Sequence, residues 1–158
     1  MMLRSIALFL LVIFAFSNCK KDDTCSFDAC SYVAPAAEIQ AVQNYLSANN
    51  ITNATQHCSG LFYQVITPGS GKTATFCNSA NAAYIGKLTN GSTFDQSASY
   101  DFVVSSVIRG WQNGLTLIQQ GGRIRLYIPP SLGYGSSQNG TIPPNSILIF
   151  DITLNTVY

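Results

Sequence analysis

The sequence predicts an α+β domain in which several strands surround one short helix, with a helical extension before it. Three observations carry this. Arg123–Ile128 alternates cleanly, with Ile124, Leu126 and Ile128 on one side and Arg123, Arg125 and Tyr127 on the other. Ser146–Val157 repeats the pattern with Leu148, Phe150, Ile152 and Leu154. Between 107 and 122, two branched residues run into Gly110 and the only tryptophan, Trp111, and Leu115, Leu117 and Ile118 follow at helix-compatible spacing. Gly121 or Gly122 is expected to cap that helix. No internal repeat is present.

The remaining elements follow in order. Pro35 suits a first helical position, and Ala37, Ala41, Tyr45 and Ala48 share a stripe that Val42 and Leu46 widen, so a helix is expected over Pro35–Asn49. It would pack on the following domain or bring two copies together. Gly60–Ile66 reads as a strand, and Pro68-Gly69-Ser70-Gly71 as a turn. Asn81–Leu88 is the second strand, and Asn90-Gly91 marks a hairpin. Thr93-Phe94-Asp95 begins the return, and Tyr100–Val104 continues it with Phe102 and Val103 on opposite faces. Pro129-Pro130 ends the strand at 123–128. Ser131–Asn145, rich in Gly, Ser and Pro, is a long loop.

Composition bounds the function. The chain has 158 residues, 47% hydrophobic and 11% aromatic, ample for one core. Only 9% of residues are charged and the formal net charge is +1, so no basic surface for nucleic acid is expected. Arg4 followed by the apolar run Ile6–Phe16 fits a signal-peptide core and is too short to span a bilayer, which takes about 20 residues. Cys19 stands where a bacterial lipoprotein is cleaved and lipidated, although Phe16 and Asn18 match that pattern loosely. Lys20-Lys21-Asp22-Asp23 after it resembles the surface-export signal of Bacteroidetes lipoproteins. The expected organisation is a signal peptide at 1–18, a lipidated tether at 19–34, a helical extension at 35–57 and the main domain at 58–158. A lipid on Cys19 would place the chain at the outer membrane, on its periplasmic or cell-surface face.

Cys25, Cys30, Cys58 and Cys77 remain, and four cysteines in an exported chain suggest two disulfides. Three pairings are open; Cys25–Cys30 with Cys58–Cys77 is the one expected. No CxxC spacing occurs and His57 is the only histidine, so no metal site is expected and His57 is read as exposed.

Trp111 alone could be an ordinary core residue. Its neighbours decide otherwise. Tyr84-Ile85-Gly86-Lys87-Leu88, Asn90–Ser97, Val107-Ile108-Arg109-Gly110-Trp111, Pro130–Gly135, Ile142–Ser146 and Leu148–Ile152 stand in an order and at spacings that resemble the FKBP family of peptidyl-prolyl cis/trans isomerases, the macrolide-binding type. The resemblance runs from about Gly60 to Tyr158. It implies an antiparallel sheet wrapped around the helix near Trp111, no cofactor, and proline-containing polypeptide as substrate, with macrolides as further ligands. It implies Trp111 as the floor under a prolyl ring, and Tyr84, Phe94, Tyr100, Val107, Ile108 and Phe150 as walls. The Ile108 N–H and the Tyr134 hydroxyl would bind substrate carbonyls. Asp95 would accept a hydrogen bond from Tyr84, and Ile142 would line the rim. Phe102 is read as core.

The chain departs from the family pattern in three places. No arginine follows Asp95 between Gln96 and Tyr100. Ile85 replaces a common threonine. Gln138-Asn139 stands in the last loop where a histidine is common. An active isomerase, a non-catalytic binding module on the same fold, and a structural surface lipoprotein oligomerising through the first helix all remain readings of this sequence.

Overall fold

The computed structural model describes residues 25–158. The expected signal peptide, the lipidation site at Cys19 and the start of the tether lie outside the described residues. Eight regular elements follow: α1 (Ala36–Ala48), β1 (Thr55–Gln56), β2 (Phe62–Thr67), β3 (Ser79–Leu88), β4 (Thr93–Val103), α2 (Arg109–Leu115), β5 (Arg123–Ile128) and β6 (Leu148–Val157). The strands form one sheet in the order β1-β2-β5-β6-β3-β4, every pair antiparallel. The class is α+β, as the two alternating strands require.

One face of the sheet carries the main core. Ile124, Leu126 and Ile128 of β5 and Leu148, Phe150, Ile152 and Leu154 of β6 are all buried there. α2 lies on that face, bringing Trp111 and Leu115 down onto it. The close approach depends on two glycines one turn apart. A Cβ on Gly110 would sit 2.6 Å from a methyl of Ile128, and one on Gly114 would sit 2.6 Å from both methyls of Leu126. α2 ends at Leu115, well short of Gly121. The Thr116 hydroxyl donates to the Asn113 carbonyl at 2.7 Å, a local bond that competes with continuing the helix. Gly121, at φ +80°, is a turn residue whose N–H donates to the Leu154 carbonyl, so it is not the helix cap expected of it.

The opposite face carries a smaller core under α1. Val42 and Leu46 are buried against Phe62 and Tyr127, with Ile39 and Tyr45 beside them. The expected stripe was centred on the wrong residues: Ala37, Ala41 and Ala48 are exposed. The larger side chains one position along bury more apolar area, and they set the helix rotation. Pro35 precedes the helix as its cap residue, and its carbonyl accepts the Glu38 N–H at 2.9 Å. α1 packs on the domain. β1, which hydrogen-bonds to β2, lies before the expected boundary at 57/58, so the sheet extends across that boundary.

The disulfides are Cys25–Cys77 and Cys30–Cys58, each with Cα atoms 5.5 Å apart, and the expected pairing is corrected. Residues 25–34 run along the domain as an arm, so its two cysteines reach different loops. Phe27 stacks on Phe76 at 4.9 Å, and the Ala34 N–H donates to the Ser59 carbonyl at 2.9 Å. His57 is half-buried, with Nδ1 2.9 Å from the Ser59 hydroxyl, and burial lowers its pKa. One of its ring nitrogens lies within 4.8 Å of both sulfurs of the Cys30–Cys58 bridge, but those sulfurs are bonded to each other. No helix among the described residues is long and apolar enough to cross a membrane.

On the outer face, Asp151 of β6 takes a two-pronged ion pair from Arg123 (2.7 and 3.0 Å) and a second contact from Arg125. Burial alone would raise the Asp151 pKa, but the two guanidinium groups outweigh it and hold the carboxyl below its ordinary value. A carboxyl depressed on folding stabilises fully above the ordinary carboxylate range, about pH 4, and that contribution is lost as pH falls through the folded value. Denaturant unfolding from neutral to acid pH is therefore expected to show a fall in stability below about pH 4. Asp151→Asn should shrink that fall, while lowering stability at neutral pH. An acid limb unchanged by the substitution would remove Asp151 from the explanation.

Candidate active site

The site is built where β3, β4, α2 and β6 meet. Trp111 is 4% exposed, and three rings meet it nearly edge-on: Tyr84 at 5.1 Å, Phe150 at 5.3 Å and Phe102 at 5.5 Å between centroids. Tyr100 stands edge-on to Tyr84 at 5.9 Å and stacks on Phe102 at 5.6 Å. Phe94 meets Phe150 at 5.4 Å. Such perpendicular contacts suit the ring quadrupoles and fix each ring against its neighbours.

Register explains how β4 supplies so many of these groups. Tyr84 pairs with Ser97 while Ala82 pairs with Tyr100, so one extra residue is taken up between them. A second irregularity lies at Phe94, between the Lys87–Thr93 and Gly86–Asp95 pairs. Each bulge reverses the strand's alternation. Phe94, Asp95, Tyr100 and Phe102 therefore all reach the α2 side, which strict alternation forbids. Gly86 makes room for them, because a Cβ there would sit 2.7 Å from the Phe94 ring and 2.8 Å from Phe150.

Two adjoining hollows result. The inner one, about 210 Å³, is lined by Tyr84, Asp95, Tyr100, Ser106, Val107, Ile108, Trp111, Tyr134 and Phe150. The outer one, about 330 Å³, shares Asp95 and Tyr134 and adds Phe94, Ile142 and the loop residues Asn139–Thr141. All ten pocket residues expected from the sequence line one hollow or the other. Asn139 lies in the last loop, which the sequence already singled out at Gln138-Asn139; Ser106, Gly140 and Thr141 were not named as site residues, and they sit in loops whose course no periodicity reports. Phe102 is buried behind Trp111, in the core. Ile85 points to the outer face and is 42% exposed, so its replacement of threonine leaves the inner hollow untouched. A larger hollow of about 510 Å³ lies on that outer face between Ile85, Gln96 and the Arg123–Asp151 pair, and lacks the aromatic cluster.

Tyr84, Asp95, Tyr100, Ser106 and Tyr134 bring polar groups to the inner hollow. The Tyr84 hydroxyl donates to Asp95 Oδ2 at 2.7 Å. Burial first, then the bond to Asp95 and its charge, push the Tyr84 pKa well up. Burial and then the nearby Asp95 push Tyr134 up as well. Both hydroxyls therefore stay protonated through the physiological range and can act as donors. Asp95 makes no ion pair among the described residues. The Ile108 N–H and the Tyr134 hydroxyl have no hydrogen-bond acceptor among the described residues and are open to a ligand. Gln112 holds the loop before Ile108 by donating to the Val107 carbonyl at 2.8 Å. No His, Cys or Lys lines either hollow.

An aromatic hollow with two free donors and no His, Cys or Lys suits a bound chain whose conformation changes without bond cleavage. The model of the family described as FKBP-type peptidyl-prolyl cis-trans isomerase matches residues 71–155, more than half of the chain. The chain belongs to that family. A probable FKBP-type peptidyl-prolyl cis-trans isomerase of Haemophilus influenzae is 43% identical over 99 residues, covering 60% of this chain and 41% of that protein. The crystal structure of FkpA from Escherichia coli superposes with a TM-score of 0.70 at 36% identity, over 77% of this chain and 60% of that one. A peptidyl-prolyl cis-trans isomerase from Pseudomonas syringae gives 0.68 at 29% identity, over 84% and 98%. The FKBP-type fold therefore accounts for the sheet and α2. The chain spans about two fifths of the length of the Haemophilus protein, and similar shares of other curated relatives.

Proposed function

We propose that this FKBP-type chain catalyses cis/trans isomerisation of X–Pro bonds in exported polypeptides. The observation that carries the reading is the inner hollow: Trp111 ringed by Tyr84, Phe102 and Phe150, with the Ile108 N–H and the Tyr134 hydroxyl unpaired at its edge. Rotation about the amide faces a barrier of about 18–20 kcal/mol because resonance holds it planar. Uncatalysed exchange takes tens to hundreds of seconds. Resonance places partial charge on oxygen and nitrogen. An apolar surround disfavours that separation and so favours the twisted amide, in which resonance is lost. The prolyl ring would lie on Trp111 between Tyr84, Val107 and Phe150. The Ile108 N–H and the Tyr134 hydroxyl would hold flanking carbonyls, so that donors fixed in advance fit the twisted form better than the planar one. Tyr84 and Asp95 hold each other and set the wall. Phe94, Tyr100 and Ile142 would contact the residues flanking proline. The chemistry needs no cofactor, and a macrolide with a proline-like ring would compete for the same floor.

The leader-like 1–18 segment, Cys19 and the disulfides support an exported chain tethered by lipid to the outer membrane. Mass measurement of the chain purified from a lipoprotein-processing host, with Cys19→Ala beside it, tests the anchor. A mass lacking acyl chains would refute it.

Asp95, exposed and without an ion pair among the described residues, supports a second reading, a pocket that holds proline-containing segments with little turnover. The purified chain and a peptide with an apolar residue before proline decide between the two. Relaxation from cis to trans should accelerate in proportion to protein concentration. Binding of the peptide with no acceleration would replace the enzyme reading by the binding one.

A further inference from the structure

The N-terminal arm and α1 touch the two segments that present the pocket's free donors. On one side, Tyr32 of the arm lies under Arg109, whose guanidinium carbon is 5.2 Å from the ring centroid. Arg109 is the first residue of α2, directly after Ile108 and two before Trp111. Tyr32 is itself fixed from both ends: Cys30 is bonded to Cys58, and Ala34 is buried with its N–H on the Ser59 carbonyl. On the other side, Oε2 of Glu38 in α1 accepts the Ser131 N–H at 2.8 Å, across 93 residues of chain. Ser131 lies in the 3₁₀ turn Pro130–Leu132. The Pro130 carbonyl in turn accepts the N–H groups of Gly133 and Gly135, the two neighbours of Tyr134, at 2.9 and 2.8 Å. The bond from Glu38 therefore anchors the turn that brackets Tyr134.

We propose that Glu38 and Tyr32 are positioning residues of the isomerase site, the first for the Tyr134 hydroxyl and the second for the Ile108 N–H. The arm and α1 then belong to the working unit and are more than a spacer between anchor and domain. The inference rests on the isomerase reading of the pocket. A charge-assisted bond at partial burial is stronger than an ordinary one, so Glu38 is the larger contributor. A cation over an exposed ring contributes less.

The test uses the purified chain with Glu38→Ala, Glu38→Gln, Tyr32→Ala and Tyr32→Phe. Each is followed by prolyl isomerisation kinetics and by amide hydrogen exchange of residues 130–136 and 106–110. Glu38→Ala is expected to lower kcat/KM about tenfold, the scale of one charge-assisted hydrogen bond. Exchange over 130–136 should quicken while α2 and the strands keep wild-type protection. Glu38→Gln retains an acceptor oxygen and should recover most of the rate. Tyr32→Ala should cost about threefold, the scale of an exposed cation–π contact, with faster exchange over 106–110, and Tyr32→Phe should restore both. A purely structural role predicts a lower melting temperature with kcat/KM and local exchange at wild-type values, and that result overturns the proposal. An inactive wild type with bound peptide would instead overturn the isomerase reading. Exchange would then decide the bracing alone: unchanged protection over 130–136 in Glu38→Ala sinks it, and quickened exchange sustains it.

Discussion

Replacing Trp111 by leucine is expected to lower kcat/KM for X–Pro isomerisation by roughly ten- to seventyfold while leaving the fold intact. A prolyl ring lying on the indole removes on the order of 60–100 Å² of apolar surface from water, and at about 25 cal/mol per Å² this contributes about 1.5–2.5 kcal/mol. Leucine is too small and too round to offer the same flat surface, so most of that contact is lost where the amide must be held as it twists. Leucine is the better probe of function because Trp111→Ala would also empty the centre of the Tyr84, Phe102 and Phe150 ring cluster. Large-to-alanine core substitutions of that kind cost about 3–5 kcal/mol in stability. Stopped-flow or coupled peptide assays give the rate, and far-UV circular dichroism reports the fold. Because Trp111 is the only tryptophan in the chain, its fluorescence also reports pocket occupancy directly. A folded Trp111→Leu protein with the wild-type rate would move the site off this floor.

How much of this could be seen in the sequence differs by element, for physical reasons. β5 and β6 were legible because one face of each is wholly apolar and buried while the other mixes polar side chains with Tyr127 and Ile149 under α1, so polarity alternates along most of each strand. The site residues were legible through resemblance, since the aromatic set keeps its order and spacing. β4 was not legible as a single strand. Its two bulges reverse the alternation, and Phe94, Asp95, Tyr100 and Phe102 show no simple period. The rotation of α1 was misread because alanines tolerate either face, and only the sheet shows that Val42 and Leu46 find Phe62 and Tyr127. The disulfide pairing was invisible for a related reason: it depends on the course of the arm, and a segment without periodicity leaves no trace of its direction. The contacts of that arm with Arg109 and Ser131 were hidden with it.

The two glycines of α2 carry the second large expected effect. Gly110→Ala is expected to destabilise the chain by about 2 kcal/mol, within the 1–3 kcal/mol range typical of an overpacked core. Helix propensity alone points the other way, since alanine is favoured over glycine by about 1 kcal/mol in a helix interior. The contact geometry decides the sign. The added Cβ would lie 2.6, 2.7 and 2.9 Å from three side-chain carbons of Ile128. Ile128 is fully buried, so it has nowhere to move. α2 must then lift from β5, and Trp111, one residue on, tilts with it. The melting temperature should fall by roughly 4–8 °C, and isomerase activity should fall further than stability alone explains. Ile128→Ala supplies the control. Alone it leaves a cavity, and combined with Gly110→Ala the two should interact favourably, with a total cost below the sum of the single changes. Additive losses would mean that the helix–sheet distance is set elsewhere. A stabilised Gly110→Ala protein would show that propensity outweighs contact here, and that Trp111 is held by its three neighbouring rings with no need for the seat of α2 on β5.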